Sequence, residues 1–165
     1  KPAKTVKPSR DAILAARSEA RKCEERVKKI EEMREKLAAK LGVAGSVEFL
    51  GGRNDVTRFF WGCDVLIHPA YRENTGTVLL EAMIAGLPVV TSDACGYAHY
   101  VTEAGLGQAV GLPFNQSEFE QGVLSALSMA RSECLQRAQA FADNSDIYSM
   151  VPRAVSLIES WQETA

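Results

Sequence analysis

Between residues 46 and 113 the chain alternates short apolar runs with helix-forming stretches, and two of the runs, Val65–Leu66–Ile67 and Val89–Val90, contain no polar residue. A strand with one wet face alternates apolar and polar side chains. An unbroken apolar run belongs to a strand covered on both faces, as in a parallel sheet. The order is "SVEFLG", "NDVTRFFWGC", "DVLIHPA", "TGTVLLEAMIAG", "LPVVTSD", "YAHYVTEAG" and "GQAVGLP", which reads β-α-β-α-β-α-β. The expected fold class is α/β, a Rossmann-like parallel sheet with flanking helices and right-handed crossovers. After Pro113 only helical patterning remains, over 117–130, onward through Ala142, and over 148–161 with Pro152 tolerated in a first turn. Four strands are fewer than a complete doubly wound sheet carries, and no opening strand precedes the first long helix. That points to part of a larger architecture.

The first 41 residues form a region of their own, distinct from 42–165. They predict one long helix from Ser9 to Leu41, with Pro8 ahead of it, Ser9 as cap and Gly42 as stop. Ile13, Ala16, Ala20, Cys23, Val27, Ile30, Leu37 and Leu41 follow a three-four spacing broken only by Arg34. Such a seam suits either a helix lying on its own domain, the favoured reading, or a pairing of helices between chains.

Composition narrows the classes. No window holds the roughly 18 apolar residues of a membrane span, and the first 30 residues show no apolar leader, so a cytoplasmic location is expected. The four cysteines at 23, 63, 95 and 134 form no C-x-x-C pair and read as reduced and structural. Lys and Arg outnumber Asp and Glu 13 to 7 in residues 1–40 and are outnumbered 6 to 14 afterwards. The basic excess is interleaved with acids, so it marks a solvated helix and predicts no nucleic-acid partner. Phe59, Phe60 and Trp61 read as core residues.

Glu81 interrupts the run "TVLLEAMIAG" and, read as buried there, requires a partner. Glu73 lies before it, in the loop that leaves "DVLIH" and enters the next helix. Ligands of open α/β sheets bind beyond the carboxyl ends of strands, which is where this loop falls. Gly76 admits close backbone approach, Asn74 or Thr75 caps the helix, and free amides at its start suit a diphosphate. A carboxylate accepts bonds from two neighbouring hydroxyls, so two carboxylates flanking a diphosphate fit a nucleotide-sugar. A buried ion pair would satisfy Glu81 equally, and chemistry alone leaves both open. His68 ends the strand beside this loop and either faces the ligand or satisfies the strand end. Gly96, in the loop "DACGYAHY" after the next apolar strand, is a further candidate contact. No metal-ligand spacing is present.

The run from Glu73 to Glu81, E-NTGTVLL-E, followed by "AGLPVVTSD", resembles the E-x7-E motif of the retaining GT-B glycosyltransferases of family 4. "GRNDV", "HPAYRENTGTVLLEA" and "GLPVVTSDACGYAHY" resemble, within it, the lipopolysaccharide core glucosyltransferases, over residues 41–161. The resemblance implies the C-terminal, donor-binding half of a GT-B fold that passes glucose from UDP-glucose to a lipid-linked core oligosaccharide with retention. It implies a catalytic Glu73 on the donor sugar, backbone amides of Asn74, Thr75, Gly76 and Thr77 along sugar and diphosphate, and Glu81 on the ribose. It implies no metal cofactor, in keeping with the missing Asp-x-Asp motif, and a peripheral place at the inner face of the plasma membrane. The acceptor domain of the family, and the strand whose basic residue grips the diphosphate, have no counterpart in residues 1–40. The 165 residues alone are therefore expected to transfer no sugar, and the N-terminal helix or an exposed sheet edge is expected to permit self-association. The alternative is a binding or assembly module that docks a partner through that helix.

Overall fold

The computed structural model describes residues 9–146 and 149–163; Pro8 and Tyr148, expected ahead of the first helix and at the start of the last, lie outside them. The chain divides into two compact units, residues 1–53 and 54–165.

In the first unit α1 spans Arg10–Lys40. Its start is a local matter: the Ser9 side chain accepts from the Ala12 amide at 3.2 Å, replacing one of the bonds a first turn lacks. Its end is equally local. Gly42 adopts φ 71, its amide bonds Ala39 O, and the Val43 amide bonds Ala38 O, the paired bonds of a Schellman stop. The face between these ends is bare. Ile13, Val27, Ile30, Leu37 and Leu41 are all exposed and Ala38 is the only residue of α1 that is buried. Among the described residues of its own unit, nothing buries Ile13, Val27, Ile30 or Leu37.

"SVEFLG" is not a strand. A 3-10 turn occupies Ala44–Ser46, and 47–50 is irregular and exposed, with no ladder partner among the described residues. A strand exists only through hydrogen bonds to a neighbour, so β-prone residues without one remain loop.

The second unit holds a three-stranded parallel sheet in the order β1-β2-β3, with β1 at Leu66–His68, β2 at Val89–Ser92 and β3 at Gly107–Val110. Helix α2 (Val56–Gly62) precedes β1, α3 (Thr77–Ile84) links β1 to β2, and α4 (Ala98–Glu103) links β2 to β3. Helices α5 (Gln116–Leu127), α6 (Arg131–Asn144) and α7 (Met150–Glu163) follow. Every residue of β2 is buried. Val89 joins a core with Leu79, Met83, Val101, Leu106 and Phe141, while Val90 joins Val110, Phe119 and Ala126 on the opposite face. The unbroken apolar strand thus separates two helical layers. Gly107 is required by the close pairing, since a β-carbon there would fall 1.8 Å from Val89 O. Phe60 is buried as expected, but Trp61 is 74% exposed: a seven-residue helix turns only part of its surface to the core. Cys95 and Cys134 are buried, whereas Cys23 and Cys63 are free and exposed, so only the first two are core residues.

Candidate active site

The loop 69–76 is held from below by β2. Thr91 and Ser92 are fully buried, and their hydroxyls donate to His68 O at 3.1 Å and to Ala70 O. A buried hydroxyl needs a partner, and each finds one in the backbone leaving β1. From the side, the Gly96 amide donates to Asn74 O at 3.2 Å and the Tyr97 amide to Thr75 O at 2.9 Å. A β-carbon at Gly96 would stand 2.9 Å from Asn74 O, so this glycine lets two loops touch. Its own N–H is spent on the loop and offers no free donor.

Within this frame Glu73 folds back on its own loop. One carboxylate oxygen accepts from the Asn74 amide at 2.8 Å, and the other lies 3.4 Å from His68 Nε2. The His68 nitrogen is enclosed and in hydrogen-bond geometry with no partner, so the carboxylate is its nearest counter-group without bonding it. The side chains remain about a third accessible, 33% for Glu73 and 28% for His68. His68 therefore faces the carboxylate rather than tying down the strand end.

Gly76 is the N-cap of α3 with φ 73 and ψ 48, and no side chain caps the helix. Neither Asn74 nor Thr75 fills the capping role expected of it. The Leu79 amide bonds Gly76 O, and the first turn presents its remaining amides and the positive end of its dipole where a capping oxygen is usually found. An anion is the natural occupant of such a terminus.

Glu81 corrects the reading of a buried carboxylate, because it is exposed. Helix α3 buries Leu79, Ala82 and Met83; two residues beyond Leu79, Glu81 points to the opposite side of a 3.6-residue turn. There it borders a cleft of about 430 Å³ with Thr57, Trp61, Ile84, Arg131 and Leu135. The structure thus gathers His68, Glu73, Asn74 and Gly76 at one end of α3, with Thr77 opening the helix, and sets Glu81 on its outer flank.

Three positioning residues escaped sequence reasoning. Thr91 and Ser92 are visible only as a polar pair closing "VVTS". Arg131 donates to Cys63 O at 2.9 Å, Phe60 O at 3.2 Å and Ala85 O at 3.1 Å, tying the ends of α2 and α3 together, and no local pattern announces it. Among the described residues no group of three or more His, Cys, Asp or Glu is gathered as a metal site would need, and no helix is long and apolar enough to cross a membrane.

Comparison with known proteins agrees with this architecture. Residues 5–145 match the family described as Glycosyl transferases group 1. The chain is 44% identical over 126 residues to the lipopolysaccharide glucosyltransferase WaaG of Escherichia coli (strain K12), covering 75% of this chain and 34% of that protein. It is 37% identical over 126 residues to the phosphatidyl-myo-inositol mannosyltransferase of Propionibacterium freudenreichii subsp. shermanii, covering 70% and 32%. The crystal structure of WaaG, a glycosyltransferase involved in lipopolysaccharide biosynthesis, superposes with a TM-score of 0.69 at 43% identity, over 77% of this chain and 35% of that one. The chain spans about a third of the length of these relatives. With a family match over most of its residues and the fold of a GT-B enzyme, the chain belongs to the group 1 glycosyltransferases.

Proposed function

We propose that these residues form the donor side of a retaining hexosyltransferase that takes glucose from UDP-glucose and delivers it to a lipid-linked lipopolysaccharide core oligosaccharide. The observation that carries the reading is the junction at 73–77: a carboxylate about a third accessible, ahead of an eight-residue helix whose N-terminus has no side-chain cap. The diphosphate lies on the amides of Thr77 and its neighbours, Glu73 accepts from hydroxyls of the transferred sugar, and Glu81 accepts from the ribose diol. Glu81 stands four residues beyond Thr77, about 6 Å along the axis, a separation suited to a nucleotide laid along the outer flank of α3. The exposure of Glu81 supports this, since a ligand cannot reach a carboxylate sealed in the core.

In the transfer, the bond from sugar C1 to the diphosphate oxygen breaks and the acceptor oxygen bonds C1 on the same face, its proton passing to the departing diphosphate. The protein contributes placement and stabilisation of the charge that grows on the diphosphate. No metal takes part in this scheme. The acceptor side comes from a second domain, reached at the cytoplasmic face of the plasma membrane, and the 165 residues alone bind donor without transferring it.

Titration calorimetry of the chain tests this with UDP-glucose, UDP and GDP-mannose. Saturable UDP-glucose binding is expected, weakened for UDP-glucose and UDP alike by Glu81→Ala and for UDP-glucose alone by Glu73→Ala. No saturation at millimolar donor sinks the reading, and glucose transfer by the isolated chain sinks its two-domain part. The bare face of α1 favours a second reading, an assembly module, which dimerisation without donor binding would select.

A further inference from the structure

His68 ends β1 with its backbone pinned. Its carbonyl accepts from the Thr91 hydroxyl at 3.1 Å and from the Ala70 amide at 2.9 Å, and it stands opposite Thr91 in the β1–β2 ladder. The ring hangs from a fixed point, so the loop carboxylate is the part free to adjust. Nε2 of His68 is enclosed, which keeps it from touching a ligand, yet it has no hydrogen-bond partner. A buried nitrogen left unpaired is costly, and Glu73 Oε2 stands 3.4 Å from it. A carboxylate only accepts, so the ring nitrogen that serves it carries a proton. Closing the bond takes about 0.5 Å, down to the usual N–H···O distance. With no ligand present, water reaches the one-third-accessible carboxylate and competes for its lone pairs. A sugar laid over Glu73 removes that competition, and the bond tightens as the surroundings dry. The carboxylate is then gripped at two points, because Oε1 already accepts from the Asn74 amide at 2.8 Å. Each oxygen keeps a second lone pair, and the two that remain suit two neighbouring hydroxyls.

We propose that His68 is a positioning residue for Glu73: with the Asn74 amide it clamps the carboxylate when the donor sugar covers it, turning one lone pair of each oxygen toward a vicinal diol of that sugar. This rests on the donor-site reading above and adds to it a residue that never touches the donor. His68 should therefore matter for the sugar and not for the nucleotide, and calorimetry of the full chain with UDP-glucose and with UDP reads that split. His68→Leu should lower UDP-glucose affinity about tenfold, the scale of one hydrogen bond to a charged group, and leave UDP affinity unchanged. His68→Gln, whose amide nitrogen reaches the place of Nε2, should restore most of the loss. The unaltered chain supplies a second readout that no folding defect disturbs. With 15N-labelled rings, the Nε2 proton of His68 should move downfield on saturation with UDP-glucose and stay in place with UDP. The other of the two histidines is told apart by its protonated nitrogen, since Nδ1 of His99 faces Gly96 O, an acceptor, at 3.0 Å. Equal losses for both ligands in a folded His68→Leu, no loss for either, no rescue by His68→Gln, or a ring proton that UDP-glucose leaves unmoved overturns the role of His68 and spares the donor reading. Absence of saturable UDP-glucose binding by the unaltered chain removes both.

Discussion

Helices α1 and α3 are opposites. The first has 31 residues, ideal ends and one buried side chain; the second has eight residues, no side-chain cap, and Leu79, Ala82 and Met83 at or below 1% exposure. Length and regular period belong to a helix by itself, whereas burial belongs to its neighbours. The shorter helix therefore carries the core and the candidate site, and the longer one presents a surface.

The sharpest test of that contrast is Leu79→Ala. Loss of a fully buried leucine should cost about 2–5 kcal/mol, read as a lower denaturant midpoint for residues 54–165; a cost below about 1 kcal/mol would break the comparison. Gly76→Ala comes next. Its φ of 73 disfavours any side chain, and the added carbon would press on Cys95 Cβ at 3.3 Å, so about 1–2 kcal/mol should be lost, with weaker UDP-glucose binding in calorimetry. Ser92→Ala removes the anchor on Ala70 O and should cost about 1 kcal/mol, again with weaker donor binding, because the loop bearing Glu73 loses its floor. Ser9→Ala should remove about 0.5–1 kcal/mol of helix stability from α1, seen as reduced far-ultraviolet ellipticity, and leave the melting of residues 54–165 untouched.

The smallest effect is on pH dependence. Burial, aided by the charge of Glu133, raises the Cys134 thiol above its ordinary 9.0. The folded state therefore holds this proton more tightly than the unfolded one, so the stability linked to it is full below pH 9.0 and declines as pH rises beyond. A Cys134→Ala variant should lack that alkaline decline in denaturant titrations.

What was legible in the sequence was local or repeated. The ends of α1 follow from Ser9 and Gly42, which act on their own turns, and the parallel strands follow from apolar runs that only a doubly covered sheet can use. What was not legible depends on partners distant in sequence. Residues 47–50 have every strand preference and no strand to pair with. Glu81 sits in an apolar run but not in an apolar place, because the side of a short helix that meets the core is set by where β2 and α6 lie. The spacing of Glu73 and Glu81 was readable, while the hydroxyls of Thr91 and Ser92 that hold the loop act across more than 20 residues.

That anchoring has a consequence for how such a protein diversifies. A loop fastened at its base by strand hydroxyls and at its side by a neighbouring loop keeps its course whatever its tip carries. Tyr71 and Arg72 are exposed between the Ala70 anchor and Glu73, Tyr71 meeting the Phe114 ring at 5.9 Å, so exchanging them leaves the backbone anchors of the carboxylate in place. Under the donor-site reading proposed above, variation at these two positions would alter what the loop meets while leaving Glu73 in place.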